Sequence, residues 1–215
     1  MKSRSSESRW RRRLLKLGVG AAALTPAALT TFRFLTDRLG ANPIAEAMNE
    51  IGQWTLITLL ATLACSPLKI LFGWNWPLAV RRMLGLVSFF YVCLHFAIYL
   101  VLDQFFDWSA IWEDIWKRKF ITVGFLGFLL LLPLALTSTN KMVKRLGFPR
   151  WKRLHRLAYV AAAAGVVHFM WRVKADLREP LIYAAVLVFL LVIRLIPWWQ
   201  KRRGGEATRT RAAAP

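Results

Sequence analysis

Six apolar stretches of roughly membrane-crossing length, parted by polar segments rich in Lys and Arg, limit what this chain can fold into. They run at about 14–32, 51–71, 83–102, 121–136, 154–171 and 181–198 of 215 residues. A helix needs about 20 mostly apolar residues to cross about 30 Å of hydrocarbon. Within hydrocarbon, a spanning segment must also satisfy every backbone N–H and C=O internally. The expected fold is all-α: a polytopic membrane helix bundle of six transmembrane helices. The fourth and fifth stretches are at the short end. The first is the weakest, being rich in Ala, Gly and Thr and interrupted by Pro26.

The net charge of +20 invites a nucleic-acid reading. The positive charge, however, sits in blocks between apolar runs, and 57% of the residues are hydrophobic. A soluble basic domain does not contain several runs long enough to span a bilayer, so nucleic acid is set aside as a partner. The same blocks orient the chain. With the N-terminus inside, segments 1–16, 69–82, 141–156 and 194–211 carry 23 Lys and Arg, against 8 in the outer loops. Nine of the eleven acidic residues fall outside. The positive-inside rule therefore expects both termini in the cytoplasm. The chain divides into a cytoplasmic basic N-terminus, 1–13, a six-helix transmembrane domain, 14–198, and a cytoplasmic basic tail, 199–215. The run RWRRRLLKLGVGAAAL also resembles a twin-arginine or Sec signal peptide. No clear A-x-A site follows it, so an uncleaved first helix is the expectation.

Tryptophans mark segment ends, where amphipathic rings prefer the headgroup level: Trp10, Trp54, Trp74, Trp76, Trp151, Trp171, Trp198 and Trp199. Trp108, Trp112 and Trp116 recur every four residues in an outer loop. That spacing gives one helical face and predicts a short helix lying on the outer membrane surface. Cys65 and Cys93 lie apart in apolar runs and read as inert packing residues. The absence of a CxxC removes support for iron–sulfur clusters, structural zinc and c-type haem attachment.

The chain has three histidines, His95, His155 and His168, and all three fall in apolar stretches. An imidazole in a lipid-spanning helix is costly without a partner and is by default a functional-site hypothesis. Imidazole is also a common axial ligand of haem iron. His95 lies past the midpoint of the third stretch, and His168 lies near the outer end of the fifth. They come out at similar depth, as two imidazoles on opposite faces of one haem require. His155 lies near the inner end, 13 residues from His168 and about 20 Å away along a helix. An inner site would need a second ligand 13 or 14 residues before His95, where Arg82 and Arg81 stand. Arginine stays protonated and ligates iron poorly, but its guanidinium pairs well with a haem propionate. Thirteen residues also leave two side chains about 140° apart around an ideal helix. A π-bulge near Gly165, a strong tilt, or separate roles for His155 and His168 would reconcile this.

The runs GANPIAEAMNEIGQWTLITLLATLACSPLK, RRMLGLVSFFYVCLHFAIYLVLD, IWKRKFITVGFLGFLLLLPLALTSTNKMVKRLG and WKRLHRLAYVAAAAGVVHFMW carry a family resemblance. Over about residues 40–198 the chain resembles the haem-binding membrane subunit of the bacterial periplasmic protein-methionine-sulfoxide reductase system. That family lies within the ferric reductase-like transmembrane superfamily, which includes the NADPH oxidases. The resemblance implies a b-type cytochrome of the bacterial inner membrane that binds one or two haems b and FMN. It implies electron flow from quinol to a periplasmic molybdopterin-containing catalytic subunit, which repairs methionine sulfoxide in oxidised envelope proteins. The family's haem ligands match His95, His155 and His168. Where the wider superfamily has an inner histidine on helix three, this chain has Arg81 and Arg82. No dinucleotide-binding domain follows Trp199, so electrons are expected from a quinol or a separate flavin reductase. Polar rims for a flavin or quinone are Ser138, Thr139, Asn140 and Arg145 inside, and Asn42 and Asn49 outside. Two other readings are a histidine-relay transporter and a non-redox membrane anchor for a periplasmic partner. A proton relay would want intramembrane carboxylates, and the interiors of stretches two to six essentially lack them.

Overall fold

The structure is a computed structural model that describes residues 2–173 and 176–197, with side chains described from Trp10. Lys174, Trp198, Trp199 and the basic tail lie outside the described residues. Among the described residues every regular element is helical. Helix α1 spans Lys2–Leu35, α2 Pro43–Phe72 and α3 Trp76–Ile98. Helix α3 continues into a π-helical turn at Tyr99–Asp103. Then come α4 (Trp108–Lys117), α5 (Lys119–Leu136), α6 (Asn140–Leu146), α7 (Phe148–Leu154), α8 (Leu157–Arg172) and α9 (Arg178–Ile193).

Local chemistry sets the ends. Asn42 caps α2 by accepting the Ala45 N–H at 3.1 Å, and Pro43 follows at the first helical position. Gly73 closes α2 in the left-handed region at φ 70°. Asp107 caps α4 by accepting the N–H groups of Ser109 and Ala110. Helix α4 is the short helix expected from its tryptophans, and Trp108, Trp112 and Trp116 all stand exposed along it. Its other face is tied down by Tyr99, whose hydroxyl donates to Asp114 at 3.1 Å.

Helices α2, α3, α5 and α8 pack in a closed ring, α2 on α3, α3 on α5, α5 on α8 and α8 on α2. Helix α1 lies against α3 and α2, and α9 against α8 and α2. One core joins Leu56, Leu60, Leu131, Ala162, Val166 and Leu187. A smaller core joins Ala27, Ile51, Val87 and Tyr91. Tyr91 is fully buried; its hydroxyl donates to the Ala23 carbonyl at 2.8 Å and accepts the Ala27 N–H at 3.1 Å. Those two backbone groups pair with each other in an uninterrupted helix, so the phenol is inserted into the α1 ladder beside Pro26.

The outward faces are also apolar, with Leu29, Phe90, Leu126, Val160 and Phe189 exposed. Among the described residues, four helices are long and apolar enough to cross a membrane: Trp10–Leu35, Pro43–Phe72, Trp76–Asp103 and Lys119–Leu136. These carry the first four expected stretches. The fifth and sixth are α8 and α9, of 16 residues each, about 24 Å long and short of a full hydrocarbon crossing.

The fifth stretch is not one helix. Helix α7 ends at Leu154, a tight turn carries His155 and Arg156, and α8 starts at Leu157. The Trp151 carbonyl receives both the His155 N–H at 3.0 Å and the His155 ring Nδ1 at 3.1 Å, while the Arg156 N–H turns back to Arg153. This break removes the 140° phase problem, which assumed a continuous helix. The π-helical turn lies at Tyr99–Asp103 rather than near Gly165.

Candidate functional site

His95 on α3 and His168 on α8 face each other, with ring centres 6.1 Å apart and ring planes at 87°. Each ring is held by the backbone of the helix behind it. The Nδ1 of His95 lies 2.9 Å from the Met48 carbonyl on α2, and that of His168 lies 2.7 Å from the Phe120 carbonyl on α5. A carbonyl only accepts, so in each ring Nδ1 carries the proton and Nε2 keeps its lone pair. Two imidazoles on opposite sides of one metal, each bound at about 2 Å, bring their ring centres about 6 Å apart. The observed separation matches. Among the described residues no three His, Cys, Asp or Glu side chains converge. A metal between these rings would thus take its other ligands from a non-protein group, as a porphyrin supplies.

Arg172 stands one helical turn beyond His168 on α8. It donates to Asn49 on α2, lies 5.7 Å from the Phe169 ring centre, and its positive charge reaches both imidazoles. A guanidinium there suits an anionic substituent of a ligand seated between the rings. In the sequence Arg172 is one of the eight outer-loop charges. Its spacing of four from His168 was the available signal.

His155 lies toward the other end of the ring of helices, in a cavity of about 490 Å³. Arg81, Arg82, Arg194, Trp151 and Tyr159 line this cavity with it, and Leu59, Phe89 and Leu131 give it apolar walls. His155, Arg81 and Arg82 thus come together around one cavity. Trp151 fixes the histidine from one side, with ring centres 3.9 Å apart, while its own Nε1–H donates to the Thr137 carbonyl at 3.0 Å. His155 Nε2 is buried without a hydrogen-bond partner, as are Arg82 Nε and Nη2 and Arg194 Nε. Buried polar atoms are rarely left unpaired, and here one lone pair and several cationic N–H groups border a single cavity. That set fits a ligand with a metal at its centre and carboxylates at its edge. Arg81 donates to Ser66 at 3.2 Å, Arg82 to Asn140 at 2.6 Å, and Arg194 to Tyr159 and the Leu63 carbonyl. No imidazole faces His155 across the cavity.

Of the polar rim residues, Ser138 and Asn140 line this cavity. Thr139 caps α6 through the Met142 N–H, Arg145 is on α6, Asn42 caps α2 and Asn49 receives Arg172. Cys65 is buried and Cys93 half-buried, and both are free thiols.

Comparison with known proteins gives one consistent result. The family described as ferric reductase like transmembrane component matches residues 50–166. The protein-methionine-sulfoxide reductase heme-binding subunit MsrQ of Rhodospirillum rubrum is 55% identical over 197 residues, 92% of this chain and 95% of the relative. The proteins of the same name from Herminiimonas arsenicoxydans and Deinococcus radiodurans are 50% and 47% identical. Those matches cover 90% of this chain and 90% of the first relative, and 83% and 88% for the second.

Proposed function

This chain belongs to the MsrQ heme-binding subunit family, among the ferric reductase like transmembrane proteins, and from that premise we propose that it is an inner-membrane b-type cytochrome. His95 and His168 would hold one haem between them, and His155 would help hold a second. When bound, haem supplies a one-electron ferric–ferrous couple. The observation that carries the reading is the approach of His95 and His168 to 6.1 Å with both Nδ1 atoms on backbone carbonyls.

The protein's own residues divide the task. The Met48 and Phe120 carbonyls fix both tautomers and raise the basicity of the two Nε2 atoms. Arg172 holds positive charge beside the pair, while Arg81 and Arg82 offer N–H donors for propionates beside His155. Six segments span the membrane with both termini in the cytoplasm, the short α8 and α9 completed by their flanking residues and a locally thinner bilayer, which puts the His95–His168 pair toward the periplasm and His155 toward the cytoplasm. The two sites then lie at opposite ends of α8, and haems held there would offer electrons a route across the membrane from the His155 side to the paired histidines. The donor is a quinol or a cytoplasmic flavin reductase. The acceptor is a periplasmic molybdopterin-containing catalytic subunit, bound as a heterodimer, that reduces methionine sulfoxide in envelope proteins. FMN is the further cofactor that the family resemblance implies, with the inner rim of Ser138, Thr139, Asn140 and Arg145 or the outer rim of Asn42 and Asn49 as its candidate contacts.

The haem-to-protein ratio of the purified chain, measured by the pyridine haemochrome assay, tests this. Two haems are expected in the wild type and one in His155→Ala, with the six-coordinate spectrum lost in His95→Ala and His168→Ala. Full haem content in His95→Ala and His168→Ala alike would sink the assignment.

A further inference from the structure

We propose that Gly52 and Gly124 are positioning residues that set the electronic state of the paired-histidine haem by letting each imidazole rest against a helix backbone. The inference rests on the bis-histidine reading above and goes beyond it to two residues that touch no iron.

The same device is built twice. On α2, a Cβ placed on Gly52 would lie 3.1 Å from both Nδ1 and Cε1 of His95. On α5, a Cβ on Gly124 would lie 2.6 Å from Nδ1 and 2.9 Å from Cε1 of His168. In each case the ring's Nδ1 bonds the carbonyl four residues before the glycine, Met48 for Gly52 and Phe120 for Gly124. A helical carbonyl already accepts the N–H four residues later, which here is the glycine's own. An imidazole can add its bond to that carbonyl's second lone pair only if the residue at that turn leaves the ring room. Gly52 precedes His95 by 43 residues and Gly124 precedes His168 by 44, so two helix pairs, α2–α3 and α5–α8, carry matching halves of one cradle. Other glycines in the bundle behave differently. A Cβ on Gly127, one turn further along α5 in the same interface with α8, would meet Ala164 at an ordinary 3.6 Å.

The consequence is electronic as well as steric. A hydrogen bond from Nδ1–H to a carbonyl makes the imidazole a stronger donor at Nε2 and favours ferric over ferrous iron. Pushing the ring off its carbonyl weakens that donation, so the midpoint potential should rise.

The test is redox titration and low-temperature electron paramagnetic resonance on the purified full chain, comparing wild type, Gly52→Ala, Gly124→Ala and Gly127→Ala. Both cradle variants should keep haem yet raise the midpoint potential of the paired-histidine haem and move its low-spin signal. The larger shift should come in Gly124→Ala, where the contact is tighter, and Gly127→Ala should match wild type. Wild-type potential and signal in both cradle variants would overturn the proposal. So would loss of both variants from the membrane, which would assign these glycines to helix packing; if only Gly124→Ala is lost, Gly52→Ala decides. Failure of the underlying reading looks different: wild type itself would then lack a low-spin haem that His95→Ala removes.

Discussion

Arg82 precedes His95 by 13 residues, just as His155 precedes His168 by 13. On the unbroken α3 that spacing leaves Arg82 about 140° from the face of His95, so the match in number is not a match in direction. Arg82 nonetheless lines the cavity of His155 with two guanidinium nitrogens unpaired. Arg82→His should therefore give His155 a second imidazole across the haem. The optical spectrum of the purified variant should gain six-coordinate low-spin character for the His155 haem, and an unchanged spectrum would place Arg82 away from the axial position. The histidines were legible in the sequence because imidazole in an apolar run has no cheap explanation. Gly52 and Gly124 were not, since nothing in the chain separates them from the other ten glycines until the rings they face are in place. Arg172 and Arg194 were hidden in the same way, each counted as a boundary charge although each reaches inward to a neighbouring helix.

At the scale of elements, hydrophobic length located the helices well but could not see where one breaks. The turn at His155–Arg156 depends on Trp151 being pinned to Thr137 and on His155 returning its ring to the Trp151 carbonyl. The first is a tertiary bond, and the second is a local one that forms only once the helix has broken there. The weak first stretch, with its Pro26 and small residues, is likewise secured by something absent from its own sequence, the phenol of Tyr91. In Tyr91→Phe the Ala27 N–H and Ala23 carbonyl can pair with each other again, so the loss should be modest, about 1 kcal/mol. Thermal unfolding in detergent should give a slightly lower midpoint with haem retained. A variant as stable as wild type would mean that the hydroxyl contributes nothing to holding α1. Helix α4 was legible outright, because three tryptophans at a spacing of four leave few alternatives.

For the whole molecule, charge asymmetry is what orients the proposed bundle, and the depths of the histidines follow from it. Twenty-three of the 31 basic residues lie on the side assigned to the cytoplasm. Alkaline-phosphatase fusions at Glu113 in α4 should be active, and fusions at Arg145 in α6 inactive; the reverse pattern would invert the proposed direction of electron flow. Helices α8 and α9 are the shortest main helices of the bundle, and α8 presents His168 at one end while the His155 turn adjoins the other. A short helix between two sites keeps them close, which favours electron transfer across the bundle. The central claim is that His95 and His168 hold one iron between them with their ring planes near perpendicular, at 87°. Low-temperature electron paramagnetic resonance of the oxidised, purified chain tests it most directly. The account predicts a strongly anisotropic low-spin signal with one large g value, absent in His95→Ala and in His168→Ala and retained in His155→Ala. A signal that survives either of the first two substitutions would contradict it.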